Sequence, residues 1–175
     1  MSRIFIVYAS VDGHTRTICE RLRNVVQDDG HEVTLLPIES ADGVELSAFD
    51  KIVVGASIRY GRHNRAIRDH VDAHAGALDL KPNAFFSVNI VARKAAKARP
   101  QTNPYLQKFL RQSRWRPKEV EVFAGRLDYP RYGFLDRLMI GFIMWMTDGP
   151  TDPATVVETT DWARVEDFAQ RIARM

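Results

Sequence analysis

Five apolar runs punctuate the chain, and the segments between them repeat apolar positions at helical spacing. Arg3 to Ala9 (RIFIVYA) is nearly continuous in apolar character, as expected of a strand covered on both faces. From Thr15 to Asp28 the residues Ile18, Leu22, Val25 and Val26 fall on one helical face, and Gly30 follows as a stop signal. Glu32 to Ile38 (EVTLLPI) predicts a second strand, with Pro37 marking an edge or an end. Lys51 to Ile58 (KIVVGASI) predicts a third. Asn64 to Ala75 predicts a helix with Ile67, Val71 and Ala75 facing inward. Ala84 to Ala92 (AFFSVNIVA) and Glu119 to Leu127 (EVEVFAGRL) predict the fourth and fifth strands. Asp161 to Ala173 predicts the last helix, with Asp161 as N-cap and Trp162, Val165, Phe168, Ala169 and Ile172 inward. Alternating strands and helices with short connections predict an α/β fold, a doubly wound five-stranded parallel sheet of order 2-1-3-4-5. No linker or repeat interrupts the pattern, so residues 1–175 read as one domain. In such sheets ligands sit beyond the C-terminal ends of the strands. That places three loops together: Ser10 to Thr15, Ser57 to His63, and Asn89 to Arg93.

Charge changes the picture in one place. The net charge of the 175 residues is +3. From Arg93 to Arg137 there are 12 Lys/Arg against four acids, a balance of +8, while the remainder holds 13 against 18, a balance of −5. A basic segment on a mildly acidic body attracts phosphates, carboxylates or an anionic membrane surface. It carries no recognisable nucleic-acid-binding motif, so a nucleic-acid partner is not expected. The single cysteine, Cys19, falls in the first helical pattern, where a small buried apolar role is expected, and one cysteine fits a reducing compartment. No signal peptide is expected, and no apolar run reaches the roughly 18 to 20 residues of a membrane span.

The first loop, YASVDGHT at residues 8 to 15, carries the first chemistry. Ser10 and Thr15 offer hydroxyls, Gly13 permits a tight turn, and the start of the following helix favours an anion. The loop has neither G-x-x-x-x-G-K-[ST] nor G-x-G-x-x-G, which argues against a nucleoside triphosphate or a dinucleotide. A neutral loop of hydroxyls and amides suits a monophosphate ester; a plain N-capped βα turn is the alternative. Asp12 fits a phosphate only if it points outward to water. Ser57, Ile58, Arg59, Tyr60 and Gly61 combine small, apolar and aromatic residues, a mixture able to hold a flat ring; Tyr60 could equally cover the end of the sheet.

The stretches YASVDGHT, VVGASIRYG and FFSVNIVARK, followed by QTNPYLQKFL, WRP, YPRY, DRLMI and TDW, resemble the flavodoxin-type protoporphyrinogen IX dehydrogenases of bacterial haem synthesis over nearly the whole chain. The resemblance implies a flavodoxin-like fold that binds FMN. It implies a phosphate site at Ser10, Asp12, Gly13, His14 and Thr15. It implies contacts to the flavin ring from Ser57, Ile58, Arg59, Tyr60 and Gly61, and from Asn89, Ile90, Val91, Ala92 and Arg93. It implies oxidation of protoporphyrinogen IX with ubiquinone or menaquinone as acceptor, peripherally on the cytoplasmic side of the inner membrane. An electron-carrying flavodoxin is disfavoured by the basic charge, and an NAD(P)H:quinone reductase by the lack of a nicotinamide fingerprint; a non-catalytic flavin-binding module is a third alternative.

Two segments depart from a plain flavodoxin. Between strands 4 and 5, Arg93 to Pro100 reads as a flexible basic stretch, and Thr102 or Asn103 then caps a helix with Pro104 at its first position. Arg93, Lys94, Lys97 and Arg99 are candidate contacts to the substrate's carboxylates; a solvated basic crossover is the alternative. After strand 5, Leu138 to Met146 is apolar all round. It reads as a core helix, a subunit interface in a homo-oligomer, or a helix lying on the membrane, flanked by Arg126, Arg131 and Arg137. His70 and His74 are spaced for a shared metal, but no third ligand accompanies them and no metal is expected. His63 adjoins the ring loop and could relay a proton. No catalytic side chain is identifiable; the chemistry is expected to reside in the flavin.

Overall fold

A computed structural model describes residues 1–175. The parallel sheet contains β1 (Arg3–Ala9), β2 (Glu32–Pro37), β3 (Lys51–Arg59), β5 (Asn83–Asn89) and β6 (Glu119–Ala124), in the order β2-β1-β3-β5-β6. Taken as the five long strands in chain order, this is 2-1-3-4-5, as the sequence predicts. A two-residue strand, β4 (Arg62–His63), folds back antiparallel on the end of β3. β7 (Arg126–Asp128) and β8 (Val156–Glu158) make a separate antiparallel pair. The helices are α1 (His14–Asp28), α2 (Arg65–Ala73), α3 (Ala75–Asp79), α4 (Pro104–Gln112), α5 (Phe134–Met146) and α6 (Trp162–Arg174).

Period-two alternation in the strands divides the interior into two layers. Ile4, Ile6, Val53, Phe86 and Phe123 face α1 and α6, meeting Ile18, Leu22, Val26, Phe168 and Ile172. Phe5, Val7, Val54, Phe85 and Val122 face the other side, covered by Ile67 and Val71 of α2, Leu78 of α3, and Leu106 and Phe109 of α4. The Phe86 ring lies against Gly55, where a Cβ would overlap it. Cys19 is buried in the α1 layer, and burial pushes its thiol well up. It is the inert apolar residue the pattern suggests.

Ionic contacts fix α6 on the sheet. Glu121 on β6 accepts from Arg164 at 2.6 Å and Arg171 at 2.8 Å. Lys51, buried at the start of β3, donates to the carbonyls of Ile172 and Ala173 at 3.2 and 2.7 Å. A cation there complements the negative end of the α6 dipole. Asp161 caps α6 by accepting from the Arg164 amide at 3.2 Å.

Four expectations change. The fourth strand, expected to run to Ala92, ends at Asn89, where its side chain caps a turn. The 64–75 helix breaks at His74 into α2 and α3. The fifth strand breaks at Gly125, and its last residues join β8 instead. The basic stretch after β5 is folded: tight 3-10 turns span Ile90–Arg93 and Ala95–Lys97. Asn89 caps the first by accepting from the Ala92 amide at 3.1 Å, and Asn103 donates back to the Lys97 carbonyl at 2.9 Å. Asn103, not Thr102, caps α4.

Candidate functional site

Past the end of β1 the chain turns through Ser10–Gly13 into α1. Gly13 closes the turn at φ 83°, a left-handed conformation that glycine adopts without steric cost. No side chain caps α1, and its first turn holds no acid. Ser10 Oγ and Thr15 Oγ1 are buried there, and neither has a hydrogen-bond partner. Buried hydroxyls without partners are rare because desolvation is uncompensated. Two of them beside an uncapped helix N-terminus fit an anion with several acceptor oxygens, such as a phosphate ester.

His14, the first residue of α1, ties this loop to the far end of the sheet. Its Nε2 lies 2.6 Å from Thr160 Oγ1, which donates to the Ala124 carbonyl at 2.8 Å. Because the hydroxyl proton is directed at Ala124, the network assigns the proton on His14 to Nε2. Burial lowers the pKa of His14, which favours this neutral form.

The β3–β4 hairpin forms the second wall. Tyr60 and Gly61 make its turn at φ 49° and 72°. A left-handed tyrosine is strained and holds its half-exposed ring at the cleft. Arg59 and the Tyr60 hydroxyl both donate to the Asp136 carboxylate in the first turn of α5, and Arg59 lies 3.9 Å from Asp12. Loss of hydration raises the Asp12 carboxyl, against the pull of Arg59.

Asn89 ends β5 as the third wall. Its amide donates to Ser87 Oγ at 3.2 Å, and its carbonyl accepts from Asn103 at 3.0 Å. Behind it, His63 Nε2 lies 2.8 Å from Ser87 Oγ, and the His63 ring packs edge-on to Phe85 and Phe109. Burial drives its pKa down to about 3, so it is neutral near pH 7 and a weak acceptor of the extra proton a relay would need.

The fourth wall is the apolar helix. Met139, Ile140 and Ile143 of α5, with Leu127 and Tyr132, close a cleft of about 1080 Å³ counting its mouth. Only Met144 of α5 is buried; Phe134, Leu135, Leu138, Phe142, Trp145 and Met146 are exposed, Phe134 at 75% and Trp145 at 70%. The core-helix reading of this segment is therefore incorrect.

Ser10, Asp12, His14, Thr15, Ser57, Ile58, Arg59, Tyr60, Gly61, Asn89 and Ile90 all line the cleft, together with Val11. Gly13 shapes the turn without lining it. Val91 and Ala92 are buried behind the cleft, because the turn capped by Asn89 rolls the chain away from it. Arg93 donates to the Ile90 and Thr147 carbonyls at 3.2 and 2.9 Å and fastens the end of α5. Lys94 lies 3.8 Å from Asp148. Lys97 and Arg99 stand outside the walls. The four cations expected to meet the substrate are thus not brought to the cleft. Arg126, Asp128, Arg131, Tyr132 and Asp136 are, and sequence reasoning missed them as site residues. Their only signal is position, immediately before and within the apolar helix.

Residues 5–154 match the family described as "Flavodoxin domain". The chain is 42% identical over 173 residues to "Protoporphyrinogen IX dehydrogenase [quinone]" of Escherichia coli (strain K12), covering 99% of this chain and 96% of that one. It is 41% identical over 174 residues to the protein of the same name from Leishmania major, covering 99% of this chain and 75% of that one. Oxidised flavodoxin 1 from Bacillus cereus superposes with a TM-score of 0.54 at 18% identity, covering 99% and 98% of the two chains.

Proposed function

This chain belongs to the flavodoxin-type, quinone-dependent protoporphyrinogen IX dehydrogenases, and from that premise we propose how its cleft serves the reaction. Protoporphyrinogen IX is oxidised to protoporphyrin IX in three two-electron rounds, and each round reduces one quinone to a quinol. Bound FMN supplies the two-electron chemistry that links donor to acceptor. Ser10, Thr15 and the free amides at the start of α1 would hold its phosphate, with Gly13 allowing the close approach and the Asp12 carboxylate held to the side by Arg59. Ser57, Ile58, Tyr60 and Gly61 on one side, and Asn89 and Ile90 on the other, position the ring. Met139, Ile140 and Ile143 would give the ring an apolar, water-poor surrounding. In this reading the released protons leave to water at the mouth of the cleft.

The observation that carries the reading is the pair of orphaned hydroxyls opening into an apolar cleft. The test loads the full chain with FMN under anaerobic conditions and adds protoporphyrinogen IX or NAD(P)H. Loss of flavin absorbance with the porphyrinogen, and its return on adding quinone, is the expected result. Bleaching by NAD(P)H alone, or by neither donor in protein that dithionite can reduce, overturns it.

No helix is long and apolar enough to cross a membrane. We propose that α5 lies on the bilayer surface instead. Its outward residues are apolar, Arg137 stands in its first half and Lys94 near its end, and the quinone it serves is a bilayer solute. Flotation with anionic vesicles checks this; a stable dimer that buries α5 and ignores vesicles contradicts it.

A further inference from the structure

Two carboxylates distinguish the donor proposed above from a neutral tetrapyrrole, and the cleft offers few cations to meet them. Three arginines line it. Arg126 is paired with Asp128 at 2.9 Å, and that carboxylate is almost fully buried. Arg59 is paired with Asp136 and stands 3.9 Å from Asp12. Arg131 is exposed and has no acid within ion-pair distance, although its charge lowers the pKa of Asp12 and so acts at the same rim.

We propose that Arg59 and Arg131 bind the two carboxylates of the porphyrinogen, and that Asp136 occupies the Arg59 position until the substrate displaces it. The inference rests on the porphyrinogen reading and names the residues that select for the diacid.

Three observations converge on Arg59. First, the Arg59 guanidinium and the Tyr60 hydroxyl both donate to the same carboxylate, Asp136. Two convergent donors, one of them charged, form a carboxylate receptor, and a protein carboxylate already sits in it. Second, Tyr60 takes part from a left-handed backbone conformation. A non-glycine residue keeps such a conformation only where its surroundings enforce it, and such strain gathers at ligand clamps. Third, the displaced partner sits at the start of its helix. Asp136 lies in the first turn of α5, at the end remote from buried Met144 and from the Arg93 contacts that fasten the other end. Partly exposed ion pairs contribute little stability, so exchanging one carboxylate for another on Arg59 costs little. Asp12 remains beside Arg59 after the exchange and keeps the guanidinium turned toward the cleft.

Arg131 completes the pair. It lies just before α5 in chain order and on the same cleft wall as Tyr132 and Asp136. As the one unpaired cation of the cleft it needs no displacement. Arg93, Lys94, Lys97 and Arg99 are absent from the walls, so the basic segment leaves these two roles to residues outside its first turns.

The test compares protoporphyrinogen IX with its dimethyl ester on the FMN-loaded full chain. It uses the wild type, Arg59→Met, Arg131→Met and Asp136→Asn. Binding of the matching porphyrin diacid and diester by fluorescence quenching gives a readout independent of turnover. Each arginine variant is expected to shift the diacid-to-diester ratio of KM and of Kd roughly tenfold against the diacid. Asp136→Asn is expected to shift it the other way, by about threefold, since the competing carboxylate is gone. Arg59→Lys, which keeps the charge but loses the fork, is expected to restore part of the ratio. FMN content and thermal melting of each variant separate these effects from misfolding. A ratio unchanged in both arginine variants, or weaker diacid binding in Asp136→Asn, overturns the assignment while leaving the activity intact. A wild type that neither binds nor oxidises either compound overturns the porphyrinogen reading, and this one with it.

Discussion

α6 and α5 have the same length, thirteen residues, and meet opposite fates. α6 is amphipathic and buries Val165, Phe168, Ala169, Ile172 and Ala173 against the sheet, with Arg164 and Arg171 clamped on Glu121. α5 is the more apolar helix, yet it buries Met144 alone and turns most of its large side chains outward. Apolar content therefore does not measure contribution to the core; a polar face opposite the apolar one does. α6 stabilises the fold. α5 roofs the cleft with Met139, Ile140 and Ile143 and leaves Phe134, Leu138, Phe142 and Trp145 exposed on its other side.

The sharpest way to break this contrast is to truncate each helix. Phe168→Ala, in the ring cluster with Phe86 and Phe123, is expected to cost about 3–5 kcal/mol of unfolding free energy by chemical denaturation. Trp145→Ser on α5 is expected to stay within about 0.5 kcal/mol in the same assay. Comparable losses at the two positions would mean that α5 is a structural helix after all.

Acid titration sharpens the contrast on the core side. Folding holds His63 neutral, with a pKa of about 3 against an ordinary 6.5. Above pH 6.5 neither state binds the proton and the contribution is complete. Below it the unfolded chain takes up a proton that the folded chain refuses, so stability falls as pH drops toward 3. From pH 7 to pH 5 the loss is about 2 kcal/mol. His14 and His70, also lowered by burial, add slope of the same sign. His63→Phe should flatten the pH dependence of the denaturation midpoint; an unchanged slope would place the linkage elsewhere.

A smaller effect separates the phosphate loop from both helices. Thr15→Val removes an orphaned hydroxyl and keeps the shape. The protein without FMN should gain up to about 1 kcal/mol, whereas FMN affinity by fluorescence titration should fall roughly tenfold. Unaltered FMN affinity would remove Thr15 from the phosphate site.

What was legible in the chain follows the range of the interactions involved. The sheet order and the meeting of the three loops at one cleft could be read because each rests on local pattern: apolar runs, a glycine in a turn, a hydroxyl before a helix. The seating of α5 could not. Its inner face is defined by Leu127, Tyr129 and Tyr132, and Tyr132 is placed by donating to the Arg126 carbonyl at 3.4 Å, a contact no periodicity reveals. The strand break at Gly125 was equally hidden, because Leu127 alternates as though β6 continued, while its pairing partner, Val157, lies thirty residues on. The basic stretch misled for a third reason. Arg93 looks free by composition, but its guanidinium is taken up by the Ile90 carbonyl in its own turn and by the Thr147 carbonyl at the end of α5.

The account turns on one helix serving two sides, and one measurement addresses both. Phe142→Ser/Trp145→Ser protein, loaded with FMN, is assayed with protoporphyrinogen IX and either a water-soluble short-chain quinone or a long-chain quinone carried in anionic vesicles. Both side chains lie outside the cleft walls. The account predicts turnover close to wild type with the soluble quinone and loss of most turnover with the vesicle-borne one. Equal turnover with the two acceptors, or equal loss with both, would contradict it.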